Sequence, residues 1–132
     1  MIKKKLFLFL LLILPLFLFH FAWQADPRLE IQGVRSFTHP SYTRIVVDIG
    51  KTREYMFNEL KSPDRIYVDI LQVKLSSPLH GKTYPINNSY VRHARIAQRS
   101  PSTVRVVVDL DDFKKVKSYR VWSLPDPFRI VI

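Results

Sequence analysis

The chain has 132 residues, no cysteine and a formal net charge of +10. This length is too short for two ordinary domains, and the lack of cysteine excludes a disulfide framework. Lys3, Lys4 and Lys5 supply three of the charges, so the part from Asp26 onward still carries +7. Such a surplus favours anionic partners, although it is also compatible with a soluble surface that has no charged target.

Residues 1–25 have the pattern of an export signal. Met1–Lys5 is basic, and Leu6–Phe19 consists almost entirely of leucine, phenylalanine and isoleucine. The cleavage site is poorly defined, because Trp23 stands near Ala25 where a small residue is preferred, so an uncleaved membrane anchor is the alternative. Both interpretations predict that the rest of the chain is exported. Both also limit membrane contact to residues 1–25.

From Leu29 onward, short segments of alternating apolar and polar residues predict strands, with no helical periodicity. The stretch at 72–90 contains proline, glycine and asparagine, and predicts a long connection with a short strand near Val73–Leu75. The predicted strands are Leu29–Phe37, Tyr42–Ile49, Glu54–Leu60, Arg65–Leu71, Val91–Gln98, Thr103–Leu110, Val116–Trp122 and Phe128–Ile132.

The two halves of this region, about 29–71 and 91–132, repeat each other. TRIVVDI at Thr43–Ile49 matches TVRVVVDL at Thr103–Leu110 with a constant offset of 61 for the shared arginine and aspartate. An internal duplication of strands predicts an all-β fold, a sandwich of two similar four-stranded sheets packed by their apolar faces, preceded by an N-terminal hydrophobic signal or anchor helix. Ile132 aligns with Val68, so the sequence either stops at a sheet edge or is the front of a longer protein.

Arginine and aspartate recur four residues apart on three of these strands, and Arg129 begins a truncated fourth copy. Within one strand they are about 13 Å apart, too far to pair, so the pattern predicts ion pairs between neighbouring antiparallel strands. The alternative is a row of arginines that binds carboxylates or phosphates. The candidate binding residues are Arg35, Arg44, Arg65, Tyr67, Arg95, Arg105 and Arg129.

Catalytic patterns are scarce. There is no zinc-binding histidine spacing, no cysteine nucleophile and no glycine-rich phosphate loop. The sequence therefore predicts a protein that is not an enzyme and has no metal or cofactor. Nucleic acid is a poor candidate partner, because the charges alternate along strands instead of forming one basic stripe. Trp122 is assigned to the core, because it lies in a strand pattern.

The paired blocks resemble the AMIN domain over about Leu29–Ile132. The matching text is GVRSFTHPSYTRIVVDI with LKSPDRIYVDI, then ARIAQRSPSTVRVVVDL with YRVWSLPDPFRIVI. The resemblance implies a periplasmic sandwich that binds peptidoglycan and targets its protein to the cell wall, with envelope or division-site proteins as further partners. AMIN domains stand at the front of N-acetylmuramoyl-L-alanine amidases, so the alternatives are the localisation domain of such a zinc enzyme or an interaction module of a secretin or pilus assembly.

Overall fold

The computed structural model of the chain describes residues 29–132, and the predicted signal or anchor segment lies outside this range. The described part is all-β, as expected. No helix within it is long and apolar enough to cross a membrane. The strands are β1 (Glu30–Ile31), β2 (Gly33–His39), β3 (Tyr42–Gly50), β4 (Tyr55–Leu60), β5 (Arg65–Leu71), β6 (Lys74–Leu75), β7 (Thr83–Pro85), β8 (Val91–Ser100), β9 (Thr103–Leu110), β10 (Trp122–Leu124) and β11 (Phe128–Val131).

One predicted strand is wrong. Residues 116–121 are irregular, and the strand near them is β10, which begins at Trp122. A short 3-10 turn at Phe113–Lys115 precedes the irregular segment, and Val116, Tyr119 and Val121 pack against the core. These three apolar residues suggested a strand, but their spacing of three and then two residues does not follow the alternation of a strand.

The strands form a four-stranded sheet in the order β10-β11-β3-β2 and a five-stranded sheet in the order β4-β5-β9-β8-β7. A small parallel pair joins β1 to β6. The expectation of two four-stranded sheets is therefore wrong for one sheet, because β7 pairs with the outer edge of β8. The proline at the end of β7 made this segment resemble a turn in the sequence.

Each large sheet combines strands from both halves of the described chain. In one sheet β3 pairs with β11, with Val46 opposite Val131, and in the other β5 pairs with β9, with Asp69 opposite Arg105. All pairings in these two sheets are antiparallel. The hairpin β2–β3 thus occupies in one sheet the place that the hairpin β8–β9 occupies in the other.

The aliphatic faces of both large sheets contribute to one hydrophobic core. Ile45, Val47 and Ile49 on β3 are buried in it, as are alternate residues of β5 and β9. Burying one face of each strand stabilises the fold by the hydrophobic effect and leaves the intervening residues on the outer faces. The recurring arginines and aspartates lie on these outer faces, so the core determines where the candidate binding residues are presented.

Candidate functional site

The outer face of the four-stranded sheet forms a cleft of about 530 Å³. Because side chains alternate along a strand, the buried Ile45, Val47 and Ile130 require their neighbours to point outward into this cleft. We call it the arginine cleft. Its lining residues are Arg35, Arg44, Val46, Trp122, Leu124, Arg129 and Val131.

One of the three arginines in the cleft, Arg35, forms an ion pair with an aspartate of this chain. Arg35 Nε and Nη2 donate to the two carboxylate oxygens of Asp48, each at 2.8 Å, and this hydrogen bonding and charge raise the pKa of Arg35. Arg129 faces Asp48 in the strand register, but no ion pair joins them. Within residues 29–132, neither Arg129 nor Arg44 forms an ion pair with a carboxylate. The cleft therefore presents a surplus of positive charge.

The prediction that Trp122 belongs to the core is wrong. β10 starts at this residue and places it opposite Val131, so its side chain lies half-buried on the outer face. The guanidinium carbons of Arg44 and Arg120 are 5.8 and 5.5 Å from its ring. Both distances are within the range of a cation–π interaction, so two arginines contact the indole.

Exposed aromatic rings extend this face toward the β2–β3 turn. Phe37 and Tyr42 are 56% and 42% exposed, and their ring centres are 6.1 Å apart. His39 stacks on Tyr42 at 4.8 Å, and the Arg44 guanidinium carbon is 5.4 Å from the Tyr42 ring centre. Because neighbouring apolar rings are normally buried when no partner covers them, this end of the sheet is suited to contact with a ligand.

On the outer face of the five-stranded sheet, most of the arginines are paired with aspartates. Arg105 donates to both carboxylate oxygens of Asp69 at 2.6 and 2.7 Å, and Arg99 adds a third bond at 2.8 Å. Asp69 is 3% exposed, and the hydrogen bonds from Arg105, opposed by burial, lower its pKa. The Arg105 guanidinium also lies 4.0 Å from the Tyr67 ring centre.

A second acid on the same face is paired in the same way. Arg95 donates to both carboxylate oxygens of Asp109 at 2.7 and 3.0 Å, and His93 Nε2 lies 3.0 Å from one of them. Arg65 faces Asp109 in the register but donates instead to the carbonyl of Pro63 at 3.2 Å. These contacts confirm the predicted cross-strand ion pairs. They also engage Arg95, Arg99 and Arg105 with aspartates of this chain, whereas in the arginine cleft only Arg35 is engaged in this way.

The seven candidate residues predicted from the sequence therefore do not form one site. Arg35, Arg44 and Arg129 meet in the arginine cleft. The other four lie on the outer face of the five-stranded sheet, on the far side of the shared core; they are Arg65, Tyr67, Arg95 and Arg105.

A second cavity of about 590 Å³ lies beside the first, and we call it the aromatic groove. It is formed by Phe57 on the edge strand β4, by the irregular segment before β10, and by Trp122, which lines both cavities. The rings of Phe57 and Tyr119 meet edge to face at 6.4 Å. Phe57 was not among the candidate residues predicted from the sequence. Its exposure depends on β4 being an edge strand, which the sequence does not show. The lining residues are Phe57, Tyr119, Arg120, Val121 and Trp122.

The two cavities combine guanidinium groups with aromatic rings. Within residues 29–132, no group of three or more histidine, aspartate or glutamate side chains is placed to hold a metal ion. Guanidinium groups suit carboxylates and phosphates, and aromatic rings suit the apolar faces of flat or cyclic groups. The combination favours a ligand that carries both anionic groups and rings.

Comparison with known proteins identifies the family of the chain. The family model described as the AMIN domain matches residues 40–132. The N-acetylmuramoyl-L-alanine amidase AmiC of Escherichia coli O6:H1 (strain CFT073) is 35% identical over 83 residues, which are 61% of this chain and 20% of the relative. The AmiC amidase of Neisseria meningitidis serogroup B (strain MC58) is 29% identical over 98 residues, 73% of this chain and 23% of that relative. The chain thus spans less than a quarter of the length of either amidase, and it belongs to the AMIN domain family.

Proposed function

We propose that residues 29–132 are a non-catalytic module that binds peptidoglycan and targets its protein to the cell wall of the periplasm, with residues 1–25 as the export signal or membrane anchor. The observation that carries the proposal is the arginine cleft. It combines positive charge with the half-buried indole of Trp122, which lines the cleft. The relatives support it, because they are named for acting on N-acetylmuramoyl-L-alanine, which joins sugar to peptide in peptidoglycan.

The chemistry of the cleft suits the peptide part of this polymer. Stem peptides carry carboxylates, and guanidinium groups bind carboxylates through two parallel hydrogen bonds. Arg129 and Arg44 supply such groups above an apolar floor that includes Val46 and Val131. Arg35 is already engaged by Asp48 and so contributes mainly to the shape of the cleft.

The four-stranded sheet is favoured over the five-stranded sheet as the binding face. Arg95 and Arg105 already hold aspartates of this chain. An external anion would have to compete with these short intramolecular pairs, whereas Arg129 in the cleft has no such competitor among the described residues.

The similarity to two amidases favours one related function, in which the same module localises the catalytic part of a cell-wall amidase. Binding through the arginine cleft would serve that function unchanged.

Replacing Arg129 by alanine is expected to weaken binding to purified peptidoglycan sacculi by about 10-fold, because it removes a charge-assisted contact. Affinity is measured by sedimentation of the full chain with sacculi at low salt. Raising the salt concentration should also reduce binding, because it screens the charges.

The matched control is Arg65→Ala, because Arg65 holds the equivalent place in the other sheet, opposite an aspartate in the register. This variant should bind sacculi as the unchanged chain does. Failure of the unchanged chain to sediment would contradict the proposed function, and an equal loss in both variants would contradict the choice of face.

A further inference from the structure

The aromatic groove is separate from the arginine cleft but shares one wall with it. Trp122 lines both cavities, and its ring has Arg44 on the side of the cleft and Arg120 on the side of the groove. A ligand long enough to fill both would therefore pass over this indole. The two cavities therefore meet at Trp122, on β10 at the edge of the four-stranded sheet.

The two cavities differ in chemistry. The groove offers the rings of Phe57 and Tyr119 as well as the indole, and one arginine, Arg120. Phe57 lies opposite the buried Val68, on the core-side face of β4, yet it is 45% exposed because β4 is at the edge of its sheet. Burial raises the pKa of Tyr119, and its hydrogen bond with Glu59 raises the pKa further. The Tyr119 side chain is therefore neutral at physiological pH.

We propose that the aromatic groove binds the glycan strand of the polymer whose peptide carboxylates occupy the arginine cleft. This inference rests on the proposed function and adds a second subsite to it. The C–H faces of sugar rings stack on aromatic side chains, and N-acetyl oxygens accept hydrogen bonds from a guanidinium group. A groove lined by three aromatic residues and Arg120 meets both requirements, and the shared Trp122 joins the sugar subsite to the anion subsite.

The probe that separates the two subsites is a soluble oligomer of N-acetylglucosamine, because it has sugar rings and N-acetyl groups but no carboxylate. The full chain should bind it, and the affinity should change little with salt because the probe is neutral. Phe57→Ala should weaken this binding by about 5- to 10-fold. Arg129→Ala should leave it unchanged, since that residue lies in the other cavity.

The matched control is Met56→Ala, because Met56 is the preceding residue of β4, is 54% exposed and points to the opposite face. It should bind the oligomer as the unchanged chain does. Tyr119→Ala serves as a second groove variant, and circular dichroism shows that each variant keeps its sheets.

The outcomes distinguish the inference from the proposed function. If the unchanged chain binds sacculi but not the oligomer, the glycan subsite is overturned and the proposed function stands. If oligomer binding survives both Phe57→Ala and Tyr119→Ala in folded protein, the assignment to this groove is overturned. If the chain binds neither ligand, the proposed function fails as well.

Discussion

Replacing Asp69 by asparagine is expected to lower the free energy of unfolding by about 3 kcal/mol, the lower end of the cost of breaking a buried ion pair. Asp69 is 3% exposed and accepts three charge-assisted hydrogen bonds from Arg105 and Arg99. Asparagine keeps the size of the side chain but leaves these two guanidinium groups without a counter-charge. Urea unfolding at neutral pH, followed by circular dichroism, measures the change.

The control for this substitution is Asp48→Asn in the other sheet. Asp48 also accepts two hydrogen bonds from one arginine, but the side chains of Arg35 and Asp48 are 63% and 31% exposed. Exposed pairs contribute about 0–1 kcal/mol, because water solvates both charges when the pair is broken. Equal losses in the two variants would show that burial does not set the strength of these pairs.

The Asp69 carboxylate also predicts how stability depends on pH. Its pKa is lowered in the folded chain, chiefly by hydrogen bonds from Arg105, so folding favours the ionised form. The resulting stabilisation is fully present above the pKa of an unfolded aspartate, about 4, and is lost as the pH falls through the lower folded pKa. The difference in stability between the unchanged chain and Asp69→Asn should therefore shrink in acid. A difference that stays constant from neutral pH to below pH 3 would contradict this assignment.

Local features of the fold could be predicted from the sequence. The alternation in Thr103–Leu110 predicted a strand with one buried face, and the repeated arginine and aspartate predicted the cross-strand pairing that Asp69 and Arg105 make. These signals are local, since side-chain direction in a strand follows directly from its period of two. The same reasoning placed the candidate arginines on outer faces.

The partners of the strands could not be predicted in the same way. Nothing in the alternation of β3 distinguishes β11 from any other strand as its neighbour, so the distribution of candidate residues over two faces was missed. Trp122 shows the consequence for the site. The predicted strand Val116–Trp122 ended at this residue and put it in the core, whereas the observed β10 begins there and places it on the outer face. The aromatic groove likewise depends on which strands are at the edges.

Cutting the described chain into fragments 29–76 and 77–132 is expected to leave each fragment unfolded. Alone, the first would lose the pairing of β3 with β11 and of β5 with β9, and it would keep only hairpins and the short β1–β6 pair. A single hairpin is marginally stable in water, and each fragment keeps only part of each large sheet.

Mixing the fragments in equal amounts should restore the β-sheet signal in circular dichroism with a one-to-one endpoint, because each large sheet needs strands from both. The uncut chain provides the reference spectrum. Cooperative unfolding of either fragment by itself would contradict the mixed sheets, since only a half that builds its own sheet could bury a core without the other. Binding to sacculi provides a second readout. Arg44 and Arg129 lie on different fragments, so only the mixture should assemble the arginine cleft and bind.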